Sequence, residues 1–214
     1  MPNRARATDE RLLNSWQRTW RAIGARGDGV SVFLMLVDQY AEEHRKYHTC
    51  QHLHECLATL DGVIHLCERP DEVAAALWFH DAFCDLHAKD NEERSAYWAR
   101  TALQSAGVSH DAAAQVHEMV MATMHTGAPV QGDVAIALDV DLAILGASPR
   151  RFLESQDQLR EEYWFEDDAT YRRRRRQVLT RFLSWPSVYS TAHFKRLLEA
   201  SAQRNLNRSL VALG

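Results

Sequence analysis

Tyr47-His48 followed by His52, the pair His80-Asp81 within Trp78-Phe79-His80-Asp81, and Asp141-Leu142 far downstream hold the side chains of this chain best suited to chemistry. Neutral imidazoles and carboxylates are the groups that bind a borderline divalent metal in water. His48 and His52 stand four residues apart, the spacing of neighbours on one face of a helix. That pair alone says little: the chain has 11 histidines, and His44, His48, His52 and His54 all crowd around Cys50. Three segments far apart in sequence, each supplying one part of a ligand set, say more.

The elements that must bring these residues together read as helices. Apolar positions recur at intervals of three and four along most of the chain, and no series of alternating strands with hairpin turns is visible. Thr8 is placed to cap a first helix through Leu12, Trp16 and Trp20 that stops at Gly24. A second is expected from Val30 to Glu43. Pro70, with Asp71 and Glu72 beside it, opens a helix to Phe83 that leaves His80-Asp81 near its C-terminal end. Asp90 and Glu93 form a candidate capping box, Ser109 opens the next helix, and Ser148-Pro149 another. Two more are expected over Ala169 to Leu183 and Val188 to Leu210. Gly132 to Leu145 alternates as a strand would, but Ile136, Val140 and Ile144 keep spacing four, and a helix is the preferred reading. The expected fold class is all-α, a helical bundle forming one domain over residues 1–214.

Composition narrows the function classes. With 214 residues, 46% of them hydrophobic, the chain can fill one core. A net charge of -4 supplies no global field for nucleic acid or an anionic membrane, so neither is an expected partner. No apolar run approaches the ~20 residues of a membrane span. Cys50, Cys56, Cys67 and Cys84 lack metal-binding spacing and no secretory segment is evident, which reads as reduced, mostly buried thiols in a cytoplasmic protein.

His52, His80-Asp81 and Asp141 resemble the H…HD…D signature of the HD superfamily of metal-dependent phosphohydrolases. The separations of 28 residues from His52 to His80 and 60 from Asp81 to Asp141 suit that pattern. The wider stretches Arg45-Lys46-Tyr47-His48-Thr49-Cys50-Gln51-His52-Leu53, Asn91-Glu92-Glu93-Arg94-Ser95-Ala96, Asp139-Val140-Asp141-Leu142 and Arg160-Glu161-Glu162-Tyr163 look like a bacterial branch of predicted HD phosphohydrolases. The similarity spans roughly Arg45 to Asn205 and carries no assigned substrate. It implies an HD-type helical bundle in which His52, His80, Asp81 and Asp141 ligate a divalent ion, whether Mn, Mg, Co, Ni, Zn or Fe. Tyr47-His48 and His52 are also similar to the YHNxxH segment of cyclic nucleotide phosphodiesterases, with Thr49 where those carry Asn. That likeness makes His48 the candidate general acid. Asp81 belongs to the catalytic set as well, as a possible bridge to a second ion drawing on His125 or His117.

The expected activity is hydrolysis of a small phosphoester, such as a nucleotide, by a metal-activated water. Two other classes stay open: an HD-type di-iron oxygenase, which needs two further histidines from among His110, His117 and His125, and a non-catalytic nucleotide-binding module. His125 is a candidate for contact with substrate or with a metal ligand. Asp139, two residues from Asp141, should face away from the site. Arg172 to Arg176 spread around a helix and are expected to pair in solvent with Glu161, Glu162, Asp167 and Asp168; Arg175 is the candidate to turn inward and bind phosphate. Asn91 and Glu92, with Ser95, form a polar turn that could orient the histidine pair. The oligomeric state is left open.

Overall fold

In the computed structural model, which describes residues 2–127 and 130–214 with side chains from residue 10 onward, ten α-helices and two 3-10 turns account for all the regular structure. The helices are α1 (Pro2–Ala22), α2 (Val30–Tyr40), α3 (Cys50–Val63), α4 (Pro70–Phe79), α5 (Asn91–Ser105), α6 (His110–Ala122), α7 (Gly132–Asp141), α8 (Pro149–Glu162), α9 (Asp168–Ser184) and α10 (Ala192–Ala212). No strand occurs among the described residues, and none of their helices is long and apolar enough to cross a membrane.

One hydrophobic core runs from α1 to α10, and α4 lies at its centre. Pro70 at the first helical position and the acidic Asp71 and Glu72 start α4 as expected. Val73, Ala75, Ala76, Leu77, Trp78 and Phe79 are all buried, leaving no solvent face, because α1, α3, α5, α6 and α7 pack around it. Trp16 meets Trp78 and Phe79 edge-on at 5.2 and 5.9 Å between ring centroids. Each such buried aromatic contributes roughly 1.5–3 kcal/mol through the area it removes from water. The segment 132–145 is helical: α7 and then a 3-10 turn over Leu142–Gly146.

Several expectations about helix ends change: α2 stops at Tyr40 rather than Glu43, and α4 at Phe79 rather than Phe83. Helix α1 begins at Pro2, ahead of Thr8, a proline being well suited to a first turn. The Asp90–Glu93 capping box does not form, since the Asp90 side chain makes no cap bond. Helix α10 begins at Ala192, capped by Thr191, because Val188 and Tyr189 amides instead donate to Glu199. Helix α3 begins at Cys50, capped by Thr49, which removes His48 from the helix altogether.

The α1–α2 turn is fixed by two indoles, Trp16 Nε1 donating to Gly29 O at 2.8 Å and Trp20 Nε1 to Arg26 O at 3.1 Å. Gly29 has φ 67, and a Cβ there would stand 2.7 Å from Trp20 Cγ and 2.8 Å from Trp16 Nε1. Gly29→Ala is therefore expected to cost about 1–3 kcal/mol from the left-handed backbone and the indole clash together. Thermal unfolding checks this; an unchanged midpoint would rule the constraint out.

Candidate metal centre

His52 lies in the first turn of α3, His80-Asp81 directly follow α4, and Asp141 is the last residue of α7. The site thus forms where one helix start meets two helix C-terminal ends, whose partial negative charge favours a cation. His52 Nε2 is 3.2 Å from His80 Nε2, 3.1 Å from Asp141 Oδ1 and 3.5 Å from Asp81 Oδ2. His80 Nε2 is 3.0 Å from Asp81 Oδ2 and 3.5 Å from Asp141 Oδ1. The four residues read from sequence converge on one point.

The donor set fits a divalent ion. Ligand atoms around an ion at about 2.1 Å stand about 3.0–3.4 Å apart in octahedral or tetrahedral arrangements, the spacing found here. His80 Nδ1 lies 2.8 Å from Leu77 O, a group that only accepts, so Nδ1 carries a proton and Nε2 is the nitrogen that faces the cluster. Asp81 Oδ2 is buried and makes no well-formed hydrogen bond, with His80 Nε2 at 3.0 Å its nearest polar neighbour, an arrangement that a cation would relieve. Burial tends to raise both carboxylates, yet His80 and His48 hold Asp81 below the usual range, and His80 with hydrogen bonds from His125 and His52 hold Asp141 below it. Both are ionised.

Sequence reasoning missed Cys56. One helical turn after His52, its buried Sγ lies 3.7 Å from His52 Nε2 and joins His52, His80 and Asp141 in a group that could hold a metal. The expectation of mostly buried thiols is corrected too, since Cys50, Cys67 and Cys84 are only partly buried.

Glu162 was read as a solvent partner for the arginine run, and the structure reverses this. It is fully buried at the end of α8, where its Oε2 accepts from the backbone amides of Lys46, Tyr47 and His48 at 2.9, 2.6 and 3.1 Å. Its Oε1 lies 2.5 Å from His48 Nδ1. The carboxylate therefore builds the turn and orients His48, leaving His48 Nε2 for the cavity. Burial opposes ionisation of Glu162, but the hydrogen bond and charge of His48 and the amides outweigh it and lower it to about 2. Burial likewise lowers His48, while the charge of Asp81 and then the neighbouring Cys84 and Glu162 carry it well above its ordinary value.

A carboxylate lowered on folding adds stability that is complete above its ordinary range near 4.5 and disappears as pH falls toward 2. Glu162→Gln is thus expected to flatten the acid side of the stability curve by on the order of 3 kcal/mol between pH 5 and pH 2. Urea unfolding across that window checks it; parallel curves for the two proteins would refute it.

Arg45, buried, ties this turn to the cluster by donating to the carbonyls of Asp81 at 2.6 Å and Ala82 at 3.0 Å. His125 Nε2 lies 2.7 Å from Asp141 Oδ2, and its backbone is left-handed at φ 49, a strained state that marks a constrained position. Asn91 bonds both the N–H and the carbonyl of Asp85, holding the loop after Asp81, and lines a second cavity together with His80, Asp81 and Glu92. Ser95 Oγ accepts from Phe83 N in the same loop. Asp139 faces away and accepts from Ser190 and Thr191 amides, as expected.

A cavity of about 330 Å³ opens onto the cluster, reached by His48, Glu92, His125 and Arg175. Arg172 and Arg173 are exposed, whereas Arg174 and Arg175 turn toward this cavity. His117 does not line it, and His110 is exposed. Comparison of the chain with protein-family models, characterised proteins and solved structures finds no match.

Proposed function

We propose that this chain is a metal-dependent phosphohydrolase of HD type that cleaves a small phosphoester, with a nucleotide as one candidate. The observation that carries the reading is a convergent His52, His80, Asp81 and Asp141 set, of which His52, Asp81 and Asp141 line the same cavity as a carboxylate-oriented histidine. Bound there, a divalent ion would lower the pKa of a water and offset charge on the phosphoryl group.

The chain's own groups supply the rest. The charge of Asp81, then Cys84 and the Glu162 hydrogen bond, raises His48 above its ordinary value, and Glu162 fixes the ring through Nδ1, so that Nε2 is placed to pass a proton to the departing oxygen. His125 braces the outer oxygen of Asp141. Leu77 O and Arg45 hold the His80-Asp81 corner in place. Glu92, on the first turn of α5, adds a half-buried carboxylate to the cavity wall. The di-iron alternative requires two extra histidines, and among the three candidates only His125 reaches the cluster. Four cysteines without disulfides fit a reducing compartment, and we place the protein in the cytoplasm on that ground.

Elemental analysis of the purified protein, followed by assay with Mn, Mg, Co, Ni, Zn and Fe on a phosphoester and nucleotide panel, tests the proposal. Bound metal together with metal-dependent phosphate release is expected. A protein that binds none of these ions, or binds them and releases no phosphate from any substrate, would defeat it.

A further inference from the structure

We infer that the substrate carries a second anionic group besides the phosphoester under attack, and that Arg175 receives it; the assignment rests on the phosphohydrolase reading. Helix α9 handles its consecutive arginines differently. Arg174 stacks on Tyr163 at 3.6 Å and pairs with Glu166 at 3.3 Å, so its charge is answered within the protein. Arg175 has no such answer. Its Nε and Nη2 both donate to one neutral oxygen, Gln156 Oε1, at 3.1 and 2.7 Å. Gln156 Nε2 in turn donates to Ser155 Oγ at 3.2 Å, and Ser155 Oγ donates to Phe152 O at 2.6 Å. The guanidinium is therefore held in one orientation by an amide and makes no ion pair among the described residues.

A fixed, half-buried cation without a counter-ion is expensive, and proteins resolve this with a carboxylate or a ligand. No protein carboxylate does so here, and Arg175 lines the cavity that contains the metal cluster. Its ionisable neighbours are Tyr171, Tyr47, Tyr163 and Arg174, and the phenols are neutral at physiological pH, so none of them answers its charge. The scissile group is already provided for by the cluster and His48. Arg175 is then a separate receiver with its remaining N–H groups free of Gln156, suited to the fork geometry of a phosphate or carboxylate. At about 330 Å³ the cavity sits at the small end of ligand sites, which fits two anionic groups joined by a short body rather than a polymer.

Three non-hydrolysable probes separate the possibilities: propylphosphonate, 3-phosphonopropanoate and propane-1,3-diphosphonate, titrated calorimetrically into the Mn-loaded protein. The diphosphonate is expected to bind about 10–100-fold tighter than propylphosphonate, the usual worth of a charged hydrogen-bonded pair. A similar gain for phosphonopropanoate identifies a carboxylate as an equally good second group; a gain for the diphosphonate alone restricts it to phosphate. Arg175→Met should erase the preference and leave propylphosphonate affinity unchanged. Arg175→Lys, which keeps charge and bulk, should retain part of it and gives the same reading if the Met variant does not fold. No preference in the wild type, a preference undiminished in either variant, or equal weakening of all three probes would overturn the assignment. Because no probe is hydrolysed, an absence of phosphatase activity would count against the function proposed above while leaving this binding result readable.

Discussion

Asp81→Ala protein is expected to hold no stoichiometric divalent metal and to lose at least about 10³-fold in turnover, the several kcal/mol that a bound cation supplies to phosphoryl transfer. Asp81 is the sharpest test because its buried Oδ2 makes no well-formed hydrogen bond and has only the imidazoles of His80 at 3.0 Å and His52 at 3.5 Å beside it, an arrangement a bound cation would relieve. Its backbone carbonyl, not its side chain, is the acceptor for Arg45, so the fold has little use for the carboxylate. The variant should therefore keep the far-UV circular dichroism of the wild type. Wild-type protein saturated with metal at 100 times its Kd should gain about 2.7 kcal/mol by mass action, raising its melting temperature. Asp81→Ala should show no such rise. Stoichiometric metal retained in Asp81→Ala, or equal stabilisation of the two proteins by added ion, would remove Asp81 from the ligand set.

What could be read from the chain, and what could not, divides along local and non-local lines. Pro70, Ser109 and Ser148 start their helices as read, because capping depends on groups a few residues apart. That His52, His80, Asp81 and Asp141 lie together was legible because each keeps a recognisable neighbour, and the helix ends carry them to one place. Segment 132–145 was ambiguous for a physical reason: Ala135 to Val140 are all buried, and an element buried all round shows neither a period of two nor one of 3.6. The His48–His52 spacing suggested one helix face, yet the Thr49 hydroxyl accepts from Gln51 N and starts the helix after His48. His48 reaches the site from the preceding turn instead. Glu162 was misread because its partner lies 114 residues away. A Glu beside arginines looks like a solvent ion pair until the end of α8 is seen to close on residues 46–48. Cys56 escaped notice likewise, since only packing brings its sulfur against His52.

Separating His48 from the ligands requires a variant whose metal content stays normal while its chemistry fails. His48→Ala should retain wild-type metal and lower turnover by about 10²–10⁴, the usual contribution of a positioned general acid. Its imidazole is 24% exposed and its Nδ1 faces Glu162, so it lies beside the cluster and is not one of the groups converging on it. The loss should shrink on aryl phosphates such as p-nitrophenyl phosphate, whose weakly basic leaving oxygen needs little protonation. Asp81→Ala should show no comparable recovery, because it removes the ion that activates the water. Glu162→Gln should fall between the two: the ring stays, but its ionised partner is gone, and the basic limb of the pH–rate profile should move to lower pH as His48 loses its proton more readily. The direction follows from Glu162 being one of the groups that raise His48 in the native protein. Equal losses on good and poor leaving groups in His48→Ala, or metal lost along with the imidazole, would make His48 a ligand or a structural residue and leave the proton donor to be sought among the other groups of the cavity.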